Sequence, residues 1–213
     1  MQTKIDEIAR QISEARRAID GMKTAIQRDD MRREWETFLT RFSRAINKLV
    51  DTAKLDERTR KLGDDLLTAS LSGDPSLKYL RAARNVDDHG IELPAADYGK
   101  ASANLGKAVT VDEGASLTIS NFMANGQNLG SVAIISDNNG FSASGDLADA
   151  VEFKPASVKL KNATYKHKRK TIDVAPPTSA VGKSEEPFTA LDLAETALKG
   201  LETKFDDFQQ LLK

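Results

Sequence analysis

Trp35-Glu36-Thr37-Phe38-Leu39-Thr40-Arg41-Phe42-Ser43-Arg44-Ala45-Ile46-Asn47-Lys48-Leu49-Val50 carries the richest apolar pattern in the chain. Trp35, Phe38, Leu39, Phe42, Ala45, Ile46, Leu49 and Val50 recur at steps of one, three and four. On a helix they merge into a single wide stripe. A stripe of that width must be covered by other elements, so it predicts the centre of a helical bundle. Trp35 and the two Phe then read as core rather than as a platform for stacking bases.

The segment before it supplies one covering helix. Ile5, Ile8, Ile12, Ala15, Ile19, Met22 and Ile26 alternate steps of three and four, an isoleucine-rich a/d seam over three heptads. The seam fits a helix packed inside its own bundle. The alternative is a coiled coil with a second chain, or a protein partner held through Ile8, Ile12 and Ile19. Gly21 weakens this helix slightly.

Two further helices follow. Asp56-Glu57 suits the positive end of a helix that carries Leu62, Leu66, Leu67 and Leu71 and stops at Ser72-Gly73. Asp74-Pro75 is an N-cap followed by Pro at the first helical position. That predicts a fourth helix over residues 76–89, anchored by Leu77, Leu80 and Ala83.

From about Ala108 the pattern turns extended. Val109-Thr110-Val111, Ser116-Leu117-Thr118-Ile119 and Ser131-Val132-Ala133-Ile134-Ile135 are β-branched runs between turn residues such as Asn125-Gly126 and Asn138-Asn139-Gly140. Residues 150–153, 157–160 and 170–174 are further strand candidates. Residues 173–183, with Pro176-Pro177, read as a rigid connector, and Thr189 as the cap of a last helix bearing Leu198, Leu201, Phe205 and Phe208. The fold expected is α+β: mainly a helical bundle of four N-terminal helices plus a C-terminal one. A bundle over 1–107, an antiparallel β insertion over 108–174 and a connector with returning helix over 175–213 make up the chain.

Composition narrows the function classes. Across 213 residues, Lys and Arg number 31 against 32 Asp and Glu, for a net charge of −1. No global basic field draws in nucleic acid, so any such binding needs a local patch. There is no cysteine, which excludes disulfides, thiolate zinc sites and cysteine nucleophiles. Two histidines without a spaced carboxylate set predict no metal site, and no phosphate-loop or dinucleotide fingerprint points to a cofactor. No apolar signal region opens the chain and no run approaches a membrane span, which predicts a cytoplasmic protein with no membrane contact.

The chemistry-bearing stretch is Tyr79-Leu80-Arg81-Ala82-Ala83-Arg84-Asn85-Val86-Asp87-Asp88-His89-Gly90. It sets an Arg, an amide and one of the two histidines within six residues. A plain helix end explains it as well: Arg84 and Asp88 make an i, i+4 ion pair, and His89-Gly90 is an ordinary stop. At about 100° per residue, positions five apart point roughly 140° away from each other. Arg84 and His89 therefore do not share a face of one helix, whereas Asn85 and His89 nearly do. A second basic element is Lys166-His167-Lys168-Arg169-Lys170, preceded by Tyr165. Adjacent cations there fit a nucleic-acid backbone, or else a charged hairpin tip that discourages edge pairing.

Arg84-Asn85 followed by His89 resembles the R-x(4–6)-H signature of the HEPN superfamily, the all-α higher eukaryotes and prokaryotes nucleotide-binding domains. The order of helices, a short β region and a last helix is similar to bacterial and phage-borne HEPN-like proteins. The resemblance covers residues 30–90 well and the N-terminal seam poorly. It implies a homodimer and a metal-independent endoribonuclease of a toxin or defence system. Arg84 would stabilise charge on the scissile phosphate, His89 would transfer the proton, and Asn85 would position one of them. Two other classes stay open: a non-catalytic module binding RNA or a protein, favoured by the acidic neighbours Asp87 and Asp88, and a structural or assembly protein using its amphipathic helices as interfaces.

Overall fold

Trp35, Phe38 and Phe42 stack in series along α2 (Arg28–Ala53), with ring centroids 5.7 and 5.3 Å apart, and all three are buried. The computed structural model describes residues 1–25, 28–87, 101–104, 108–111, 116–137, 140–153, 160, 162–167, 170–181 and 184–213. Around α2 pack α1 (Gln2–Thr24), α3 (Glu57–Thr68), α4 (Pro75–Asp87) and α5 (Ala190–Leu211). The fold is α+β and mainly helical, as the apolar periodicity predicts.

The isoleucine seam is filled from within. Ile8, Ile12, Ala15, Ile19 and Met22 are buried in the main core, with α1 lying along α2 and touching α5. The seam thus lies inside its own bundle, the first of its two readings. An a/d pattern records that a face is covered but not by which chain, and here the wide stripe of α2 covers it. Ile26 lies outside the described residues. Ion pairs between Arg16 and Glu202, and between Lys23 and Glu195 at 2.7 Å, link α1 to α5 at the surface. Such exposed pairs add only about 0–1 kcal/mol each.

Three caps form as the sequence indicates. Asp56 accepts from the Arg58 N–H, Asp74 accepts from those of Ser76 and Leu77, and Thr189 accepts from that of Asp192. The helix read as ending at Ser72-Gly73 divides into α3 and a π-helical turn, Ala69–Gly73. Gly63 lets α3 approach α2 closely, since a Cβ there would stand 3.0 Å from Ala53 Cβ and 3.2 Å from the Val50 carbonyl.

Strand structure is more extensive than expected and is not one unit. It begins at β1 (Ala101–Asn104) and β2 (Ala108–Val111), continues through β3 (Ser116–Ala124), β4 (Gln127–Asp137), β5 (Gly140–Ser144) and β6 (Val151–Phe153), and extends through β7 (Ala163–His167), β8 (Lys170–Val174), β9 (Thr178–Val181) and β10 (Ser184–Pro187). The limits 108–174 are therefore too narrow at both ends. The connector is confined to residues 175–177, after which β9 and β10 form a hairpin closed by Phe188 N–H donating to the Pro177 carbonyl. Of the candidate at 157–160, Leu160 is buried outside any strand, and residues 157–159 lie outside the described residues.

The strands divide between two cores. Val111, Val132, Ile134, Phe141 and Val151 form a small separate core around the sheet ordered β3-β4-β5 and the sheet ordered β2-β1-β6. Leu160, Ala163 and Val174 belong instead to the helical core, with Tyr165 and Ile172 packed against it. The β7–β8 hairpin thus packs on α4 and is part of the bundle. The β3–β4 hairpin turns at Asn125-Gly126, both at positive φ (52° and 77°), and bulges at Asn121 (φ 55°). Among the described residues no helix is long and apolar enough to cross a membrane.

Candidate functional site: an arginine-lined cleft on the motif helix

α4 buries Tyr79, Leu80, Ala82 and Ala83 against the core. Burial pushes the Tyr79 phenol above its usual range, so it stays protonated as a core residue. Arg81 is left exposed, while Arg84, Asn85 and Val86 are half-buried. Asp74 and the π-helical turn fix the start of α4, and α2 fixes its flank.

Between α2 and α4 lies a cleft of about 180 Å³. Phe42, Ile46 and Leu77 form its apolar wall. Ser43 and Asn47 from α2, Ser70 from the π-helical turn, and Arg81, Arg84 and Asn85 from α4 supply the polar groups. The Ser70 hydroxyl donates to the Leu67 carbonyl at 2.8 Å, which leaves its oxygen able to accept. Among the described residues the lining contains two guanidinium groups and no carboxylate. Neither Arg81 nor Arg84 has an ion pair or hydrogen bond among the described residues. Uncommitted guanidinium forks over an apolar wall are suited to an oxyanion, because the group is weakly hydrated and presents paired donors.

The structure thus brings Arg84 and Asn85 to one cleft. His89 and Asp88 lie outside the described residues. Of the basic cluster, Lys166 and His167 end β7 and pair with Thr171 and Lys170 of β8, and Lys170 is exposed. Lys168 and Arg169 lie outside the described residues. The cluster therefore spans a hairpin that rests on the same helix as Arg84. Sequence reasoning missed Ser43, Asn47 and Ser70 as lining residues. Ser43 and Asn47 carried one signal, polar side chains directly following Phe42 and Ile46 at the margin of the apolar stripe, and Ser70 carried none.

Two other hollows have a different character. The larger, about 830 Å³, runs between α3 and α5 over Leu62, Leu66, Ala197 and Leu201, and shares Ile46 and Leu77 with the cleft. Its rim charges are bonded within the chain: Lys61 to Asp65 at 2.6 Å, Lys204 to Asp207 at 3.5 Å, and Arg58 to Asp56 at 2.9 Å. The other, of about 410 Å³, lies between the start of α1 and the end of α2 and includes Glu7 and Lys48. Hydrogen bonding from Arg10 leads the causes that hold the Glu7 carboxyl down at about 2.

No family model, curated protein or solved structure matches this chain.

Proposed function

We propose that this chain is a HEPN-like, RNA-directed protein, a metal-independent endoribonuclease of a toxin or defence system, cytoplasmic and homodimeric. The observation that supports this reading is the cleft itself, in which, among the described residues, no carboxylate lines the wall and Arg84 has no partner and stands beside Asn85. A structural arginine at a helix end would be expected to hold a carboxylate, and this one is uncommitted.

In the proposed reaction the ribose 2′-hydroxyl attacks the adjacent phosphorus. The bond to the 5′-oxygen breaks, leaving a cyclic phosphate and a 5′-hydroxyl. Arg84 neutralises the charge that gathers on the phosphoryl oxygens. His89 moves a proton at the 2′- or 5′-oxygen, a task suited to a group titrating near neutrality. Asn85 positions the phosphate or the imidazole. The homodimer is proposed because the resemblance implies one, with a second subunit completing the Arg and His pair.

The test is cleavage of RNA at neutral pH with divalent metal chelated. Wild-type protein should cleave, and Arg84→Ala and His89→Ala should each abolish cleavage. Their folding stability should stay within about 0.5 kcal/mol of wild type, as for surface polar residues. Asp87 and Asp88, acidic neighbours of the motif in the sequence, favour a second reading, since carboxylates near an RNA site repel its backbone. In that reading RNA binds, Arg84→Ala weakens binding, and nothing is cut. Neither cleavage nor binding by the wild-type protein overturns both.

A further inference from the structure

We infer that Arg81, together with Ser43 and Asn47 across the cleft on α2, forms a second phosphate subsite that holds a backbone phosphate of RNA next to the one engaged by Arg84. The inference rests on the RNA reading above and adds residues that the Arg84-Asn85-His89 signature does not contain.

Four observations lead to it. Arg81 and Arg84 are three residues apart on α4, so their Cα atoms rise by about 4.5 Å along one flank of the helix. Both line the same cleft and neither guanidinium is engaged among the described residues. Ser43 and Asn47 stand one turn apart on the facing helix and bring neutral donors to the same space. Among the described residues no carboxylate competes for either arginine inside the cleft, although acidic residues slightly outnumber basic ones in the chain.

Volume decides what part of a nucleic acid enters. At about 180 Å³ the cleft is well below the roughly 300–1,000 Å³ of sites that enclose a whole drug-sized molecule. Phosphate oxygens reaching in from the backbone suit it, with the ribose that joins two phosphates passing over its mouth, and a whole nucleoside does not fit. The bases stay outside, so this subsite fixes the position of the strand and carries no sequence information. Because Arg81 holds a phosphate other than the reacting one, it is a positioning residue.

The experiment is a salt titration of binding to a single-stranded RNA, read by fluorescence anisotropy on full-length protein carrying His89→Ala so that the RNA stays intact. Adding Arg81→Ala should weaken binding by about tenfold or more, the scale of one charge-assisted hydrogen bond. It should also lower the magnitude of the slope of log K against log salt by about 0.7, the loss of one phosphate contact on a single strand. Asn47→Ala should weaken binding with the slope unchanged, because it removes no charge. Arg81→Lys should keep the slope and lose part of the affinity, since the charge survives and the fork does not. A purely structural Arg81 would move the melting temperature and leave the slope alone.

A parallel titration with inorganic phosphate, followed through the Arg side-chain N–H signals by NMR, separates this inference from the RNA reading. RNA binding that depends on Arg84 but keeps its affinity and slope in Arg81→Ala overturns the subsite and leaves the RNA reading standing. Phosphate shifts at Arg81 without any RNA binding overturn RNA as the ligand. Absence of both overturns the subsite altogether.

Discussion

The two hollows that share Ile46 and Leu77 differ in how their charges are used. Around the α3–α5 groove, Lys61, Arg58 and Lys204 are each bonded to a carboxylate of the same chain. In the α2–α4 cleft, Arg81 and Arg84 are bonded to nothing among the described residues. Volume alone would favour the groove, at about 830 against 180 Å³. Chemistry favours the cleft, because a charge satisfied within the chain contributes to the fold and a charge left free is available to a ligand. The two kinds of charge should therefore appear in different measurements.

The sharpest separation is between Leu201→Ala and Arg84→Ala. Leu201 lines the groove yet is buried in the main core, so truncation should cost about 2–5 kcal/mol. At roughly 2–4 °C per kcal/mol for a chain of this size, the melting temperature should fall by about 4–20 °C. Arg84→Ala should leave the melting curve nearly unchanged while RNA binding drops. A large melting shift for Arg84→Ala would make the cleft a structural feature and break the contrast.

A smaller effect of opposite sign is expected on the groove wall. A Cβ added at Gly200 meets nothing within 4 Å, and Gly200 lies inside α5. Gly200→Ala should therefore stabilise the protein by about 0.4–1 kcal/mol, through helix propensity and a less flexible unfolded chain. Destabilisation in a thermal melt would show that the groove wall closes on itself in solution.

The smallest effect concerns a paired charge at the third hollow. The Glu7 carboxyl is held at about 2 in the folded protein against an ordinary 4.5, first by its hydrogen bond from Arg10. A depressed folded pKa adds stability that is present above the unfolded value and is lost as pH falls through the folded one. Glu7→Gln should thus lower the melting temperature slightly at neutral pH. It should also flatten the decline of the melt between about pH 4.5 and 2. Identical pH profiles for the two proteins would remove Glu7 from the set of paired charges that matter.

The sequence carried the helices well because their signal is local. The α2 stripe, the α1 seam and the caps at Asp56, Asp74 and Thr189 all depend on spacings within one or two turns. It carried the strands less well. β1 (Ala-Ser-Ala-Asn), β5 (Gly-Phe-Ser-Ala-Ser) and β10 (Ser-Glu-Glu-Pro) are short and lack β-branched residues, and they become strands through their hydrogen-bonded neighbours. Nor could it assign β7 and β8 to the helical core, because that depends on what Ala163 and Val174 meet across the chain. The site divides in the same way. Arg84 and Asn85 were singled out by the motif they open, and they line the cleft, whereas Ser43 and Asn47 join it only when α2 and α4 pack together.

α5 fills the bundle with Leu193, Ala194, Leu198, Phe205 and Phe208, yet about a hundred residues separate it from α4. During synthesis at about 5–20 residues per second, that stretch occupies the ribosome for roughly 5–20 s. Throughout that interval the faces of α1 and α2 that α5 will cover have no lasting occupant. The β segments thus set a delay as well as a structure: the emerging bundle stays adhesive until its last helix is made.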